Sequence, residues 1–150
     1  MPQNNSNLNL TAADVQCRLS TEVTFPGGFD VADFADGDAI SVTNIQAADM
    51  VRGVDGATGY WYIPSTVELT LNLLPGCNAS KNLLTLASSI EAQQAPELAT
   101  ITVAIPSMGI VVTFEEGVMT GYPPIPGVKT RLDNMAFTFK FKRPRVATLL

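Results

Sequence analysis

Four carboxylates lie close together in the stretch Phe29–Val42: Asp30, Asp33, Asp36 and Asp38. Oxygen ligands at short, regular offsets are what a calcium loop needs, so this is the first place to look for chemistry. A helix–loop–helix calcium site also requires a bidentate Glu at its twelfth position, and a loop begun at Asp33 reaches Asn44 there. The acids therefore read as surface charge and not as a metal site. A second concentration of functional side chains is Tyr60-Trp61-Tyr62. Three consecutive aromatics could stack on a sugar ring, anchor a protein interface, or sit in the core with Trp61 innermost.

Much enzymatic chemistry has no residues to carry it. The chain has no histidine, which removes imidazole acid–base work, histidine triads and histidine zinc ligands. Glu115 and Glu116 are adjacent and so face opposite sides of a strand, where they cannot oppose each other across a substrate. No glycine-rich phosphate loop follows a strand and opens a helix. Cys17 and Cys77 have neither metal-ligand nor redox spacing, and they read as reduced thiols in a protein made in the cytoplasm. The expectation is a non-enzymatic protein without cofactor or metal.

The elements that must position the acids and aromatics can be read from periodicity. Val67, Leu69, Leu71 and Leu73 alternate with Glu68, Thr70 and Asn72, as in a strand with one buried face. Pro75-Gly76 ends that strand, and Asn78 or Ser80 can cap a helix over about 79–92, in which Leu83, Leu86, Ala87 and Ile90 share one face. Asp14–Phe25 holds a strand, with Thr21–Phe25 extending it or pairing with it, followed by a turn at Pro26-Gly27-Gly28. Ala39–Val42 is a short strand. Ala99–Ile105 and Ile110–Phe114 form a hairpin, and Met135, Phe137, Phe139 and Phe141 define a closing strand. Thr43–Pro64 is a long connection with turn signals at Asp55-Gly56 and Thr58-Gly59, and long connections inside compact domains are usually functional. Tyr122–Pro126 belongs to a proline-rich surface loop. Six or seven strands and one helix make the chain mainly β: a β-sandwich or barrel with one flanking helix.

At 150 residues this is a single domain, 11–150, preceded by a flexible polar arm over 1–10 that lacks the apolar core of a signal peptide. No stretch is long and apolar enough to span a bilayer, so no membrane insertion is expected. The composition is 46% hydrophobic and only 15% charged, a balance that favours surface covered by other subunits. Charge is uneven: Met1–Glu116 carries a net −10 and Gly117–Leu150 a net +5. That asymmetry suits head-to-tail association, and equally a solvated basic tail formed by Lys140, Lys142, Arg143 and Arg145. A negative chain with few bases is not a specific nucleic-acid binder.

Three segments give a family resemblance: Asp33–Val42, Val54-Asp55-Gly56, and Thr66–Leu73 continuing through Asn78-Ala79-Ser80 to Leu83–Leu86. In that order they resemble the tail tube proteins of bacterial viruses, which have relatives in contractile injection machines. The resemblance implies a virion protein, made in the host cytoplasm, stacking as hexameric rings into a hollow tail tube. Double-stranded DNA would pass through without specific binding. Partners would be other copies of the chain and further tail proteins: tape measure, terminator, baseplate or sheath. It places Arg52, Tyr60, Trp61 and Tyr62 at the contact between rings, in the long Thr43–Tyr62 connection. Asp30, Asp33, Asp36, Asp38 and Glu68 become candidate lumen acids, since carboxylates repel phosphate. The alternative is a carbohydrate-binding β-sandwich module that uses Tyr60-Trp61-Tyr62.

Overall fold

The computed structural model describes residues 15–32, 34, 39–142 and 144–148. Among these residues the chain forms ten strands and one helix: β1 Gln16–Thr21, β2 Phe29–Val31, β3 Ile40–Val42, β4 Ala48–Arg52, β5 Thr58–Tyr62, β6 Val67–Leu73, α1 Asn78–Gln93, β7 Ala99–Ile105, β8 Ile110–Gly121, β9 Met135–Phe141 and β10 Arg145–Thr148. The protein is mainly β, as expected. All six strands read from the sequence are present, and β2, β4, β5 and β10 add to them. The 1–10 arm and Asp33, Asp36, Asp38 and Arg143 lie outside the described residues.

One antiparallel sheet runs in the order β2-β1-β7-β8-β9-β6-β3, with β10 also paired to β8; β4 and β5 form a separate two-stranded sheet. Alternation produces the core. Val67, Leu69, Leu71 and Leu73 of β6 pair with Phe141, Phe139, Phe137 and Met135 of β9, and all eight side chains are buried. Leu19, Ile101 and Phe114 extend this core into β1, β7 and β8. Burying a large apolar side chain contributes roughly 1.5–3 kcal/mol, so these in-register rows outweigh any local propensity in fixing which face is inside.

The twelve-residue β8 connects the two halves of the sheet. Its first half pairs with β7 and β10, and its second half with β9. Register relative to β7 shifts between Ala99 and Ile101, while Glu116 takes a left-handed φ of 54°. Val118 faces Lys140 and Thr113 faces Arg145, so β9 and β10 keep one register along β8 across their interruption.

Helix α1 packs Leu83, Leu86 and Ala87 into the core, with Ile90 partly buried against it. Its cap differs from both expected residues: Cys77 is the N-cap, and its Sγ accepts from the Ser80 N–H at 3.4 Å. Ser80 is buried inside the first turn, where its hydroxyl donates to the Leu74 carbonyl at 2.9 Å, so it is not available to cap. Thr21–Phe25 neither extends β1 nor pairs with it as a strand. It closes a loop in which Thr21 N–H donates to the Phe25 carbonyl at 3.0 Å and Phe25 N–H donates to the Thr21 hydroxyl at 2.8 Å.

Candidate interaction site

The long connection is a β-hairpin. In β4–β5, Ala48 faces Tyr62, Asp49 faces Trp61, Met50 faces Tyr60, Val51 faces Gly59 and Arg52 faces Thr58. Its turn is built as Asp55-Gly56 predicts. Gly56 N–H donates to the Gly53 carbonyl at 3.0 Å, Asp55 Oδ1 accepts from Ala57 N–H at 3.1 Å, and Gly56 adopts φ +88°, which a side chain would oppose. Thr58-Gly59 is not a turn; it lies inside β5.

All ten strand residues of this hairpin are exposed. Trp61 is 47% exposed, Tyr60 75% and Tyr62 63%, so the triplet is not core. Directly paired residues share a face. One face therefore carries Met50, Tyr60, Tyr62 and Arg52, and the other carries Val51, Asp49 and Trp61. The four residues expected at a ring contact lie on one ribbon, with Trp61 turned away from the other three. Sequence reasoning missed Met50 and Val51, both 57% exposed. Two five-residue runs of equal length around an Asp-Gly turn are the signal that pairs them with the aromatics. An isolated two-stranded hairpin is marginal in water, and here its apolar residues face solvent on both sides.

Of the candidate lumen acids, the described residues include Asp30 and Glu68, which lie on different strands. Asp30 accepts from the Arg18 guanidinium at 3.0 Å, and Arg18 also donates to the Gly27 carbonyl at 2.7 Å, fixing the β1–β2 turn. Glu68 sits on β6 directly opposite Lys140 of β9, in the other half of the sheet. Asp33, Asp36 and Asp38 fall outside the described residues. Asp30 and Glu68 thus each have a base on the neighbouring strand.

Other charges concentrate at the β8 bend. Glu115 pairs with Arg145, and Glu116 pairs with Lys142. The hydrogen bond and charge of Lys142 hold the Glu116 carboxyl below its ordinary range, and Glu116 in turn raises the Lys142 ammonium. At the far side of the core, burial pushes the Cys17 thiol up to about 12, with a smaller contribution from the charge of Asp30. Tyr122, in the proline-rich loop, donates to Glu91 of α1 at 3.1 Å, and that bond raises the phenol. None of these groups forms a nucleophile–base pair. The described residues contain no cluster of three or more metal-ligating side chains, and no helix is long and apolar enough to cross a membrane.

The fold of this chain is similar to that of chains in contractile injection particles. A chain in the structure of the sheath/tube terminator of an extracellular contractile injection system (PVC) superposes with a TM-score of 0.58 at 12% identity, over 95% of this chain and 99% of that chain. A chain of the anti-feeding prophage baseplate gives 0.59 at 11%, over 95% and 98%. A chain of the tube-terminating cap of the same prophage gives 0.57 at 13%, over 98% and 96%. No curated protein matches the chain in sequence. The family model described as "Tail fiber protein gp32" matches residues 8–144, and the chain belongs to that family. The resemblance to phage tail proteins therefore holds in both family and fold.

Proposed function

We propose that this protein is a non-enzymatic structural subunit of a phage tail or tail-like particle. Copies associate into rings, hexameric by the resemblance, that stack into a hollow tube through which DNA passes. The observation that carries this reading is the β4–β5 hairpin: a ribbon outside the main sheet, with five large apolar or aromatic side chains in solvent. Such a ribbon gains its stability when a partner covers it, and tyrosine and tryptophan are the residues that anchor such contacts. Family membership and the shared fold support the tail context. Partners are further copies of the chain and neighbouring tail proteins, and the particle is the virion tail.

Electron microscopy of the purified protein over a concentration series tests this directly. Rings or tubes with a stain-filled channel are expected, and a Tyr60→Ala/Trp61→Ala variant should remain as unstacked rings or monomers. Monomers at every concentration would overturn the proposal.

Exposure of Tyr60 and Tyr62 side by side on one hairpin face also favours, as a second reading, stacking of a sugar ring. A saturable change in Trp61 fluorescence on adding saccharides, with no assembly, would select it.

A further inference from the structure

We propose that the β10 edge of one copy pairs in parallel with the β2 edge of the next, setting Arg145 against Asp30. This rests on the self-association reading above and names the strands that would make the joint within a ring. Strands β2 and β10 lie at opposite ends of one half of the sheet, which runs β2-β1-β7-β8-β10, and each is paired on one side only among the described residues. Unpaired strand edges template further pairing, and two different open edges on one molecule make a head-to-tail contact.

Direction and register are both defined. β1 is antiparallel to β2 and to β7, β8 is antiparallel to β7, and β10 is antiparallel to β8, so β2 and β10 run the same way. A rotation that continues the sheet into the next copy keeps that sense, and the new pairing is parallel. Asp30, Arg18, Thr102, Thr113 and Arg145 form one row across the five strands and share its outer face. The row has a carboxylate at the β2 end, its side chain 80% exposed, and a guanidinium at the β10 end, 75% exposed. Joined end to end, Glu115, Arg145, Asp30 and Arg18 alternate in sign across the boundary, each interior charge gaining a second partner. On the next row Val146 continues Val31, Cys17, Val103 and Val112, an apolar series whose other members are buried or partly buried while Val146 is 65% exposed. Parallel pairing that sets residue 145 beside residue 30 also sets Val146 beside Val31, so charge and apolar rows agree on one register. β2 has only three residues, so this joint specifies the neighbour while other contacts supply further area.

The test is heterotypic. Asp30→Arg and Arg145→Asp each place like charges at every joint, and each variant alone should lose at least tenfold in ring formation by electron microscopy or mass photometry. Mixed one to one, the variants can alternate around a ring with every joint complementary, and rings should return. Circular dichroism confirms that each variant is folded. Independently, Asp30→Cys with Arg145→Cys in a Cys77→Ser background should give covalent multimers on oxidation, and neither single cysteine should. Rings that persist in both charge variants, or that form without these cross-links, overturn the joint and leave the ring reading standing. Wild-type protein that forms no rings, together with a cysteine pair that forms no multimers, overturns both.

Discussion

Gly117 and Phe141 are in close contact: a β-carbon on Gly117 would lie 2.0 Å from the nearest Phe141 ring carbon. Phe141 is fully buried at the end of β9, tilted against Phe114 with centroids 5.6 Å apart. The bend of β8 is thus a packing requirement as well as a register shift. Gly117→Ala should destabilise the fold by about 1–3 kcal/mol through overpacking, read from urea denaturation. Phe141→Ala vacates the site, so adding Gly117→Ala to it should cost less than in the wild type. Strict additivity of the two changes would mean that the contact does not limit packing.

The ion pair beside this bend sets a pH window. Glu116 has a lowered folded pKa, so its contribution is present above the unfolded carboxylate value and is lost as pH falls through the folded value. Lys142 has a raised folded pKa, so its contribution is complete below the unfolded ammonium value and is lost as pH rises through the folded value. The two contributions coexist only between those values, and with both side chains exposed they are small. Carboxyl NMR titration should show Glu116 depressed in the wild type and returned to the ordinary range by Lys142→Met.

Cys77 caps α1 with a weak acceptor. Cys77→Ser keeps an acceptor at the same position and should leave stability unchanged or slightly raised. Cys77→Ala removes it and should cost about 1 kcal/mol, read by thermal unfolding. Equal stability of the two variants would show that the sulfur contributes nothing to the cap.

The two thiols should differ sharply in reactivity. Cys17 is buried with its thiol pushed up to about 12, whereas Cys77 is partly exposed. A maleimide near pH 8 should label the native protein once, at Cys77, and twice only after unfolding. Rapid native labelling at Cys17 would contradict the packing of β1 against β7.

Removing the hairpin separates folding from assembly. Since β4 and β5 bury none of their ten residues, replacing residues 48–62 by a short Gly-Ser linker should leave the denaturation midpoint close to wild type. The same deletion should abolish stacking. A large loss of stability would place the hairpin in the fold instead of at its surface.

The elements legible in the sequence are those with one buried face. β6 and β9 were readable to the residue because Val67–Leu73 and Met135–Phe141 alternate against a common core. β4 and β5 lack a buried face, so their alternation carries no hydrophobic signal and only the Asp55-Gly56 turn marked them. β2 and β10 are three- and four-residue edges below the reach of periodicity. The Cys77 cap was missed because sulfur is an uncommon acceptor and two better-known capping residues stood nearby. The interaction site was legible as a list of aromatics. It was not legible as two faces, since the split of Trp61 from Tyr60 and Tyr62 depends on strand pairing.

The shared register of β9 and β10 along β8 also bears on how the chain folds. A slip of one residue anywhere on that ribbon would turn Phe139 and Phe141 outward in one half and take Val146 off the face it shares with Val112 in the other. Neither half can adopt a stable misaligned intermediate by itself, and neither can unfold while its counterpart keeps the ladder. Native-state hydrogen exchange should therefore show β8 and β9 opening as a single cooperative unit, with matching protection on both sides of Gly117.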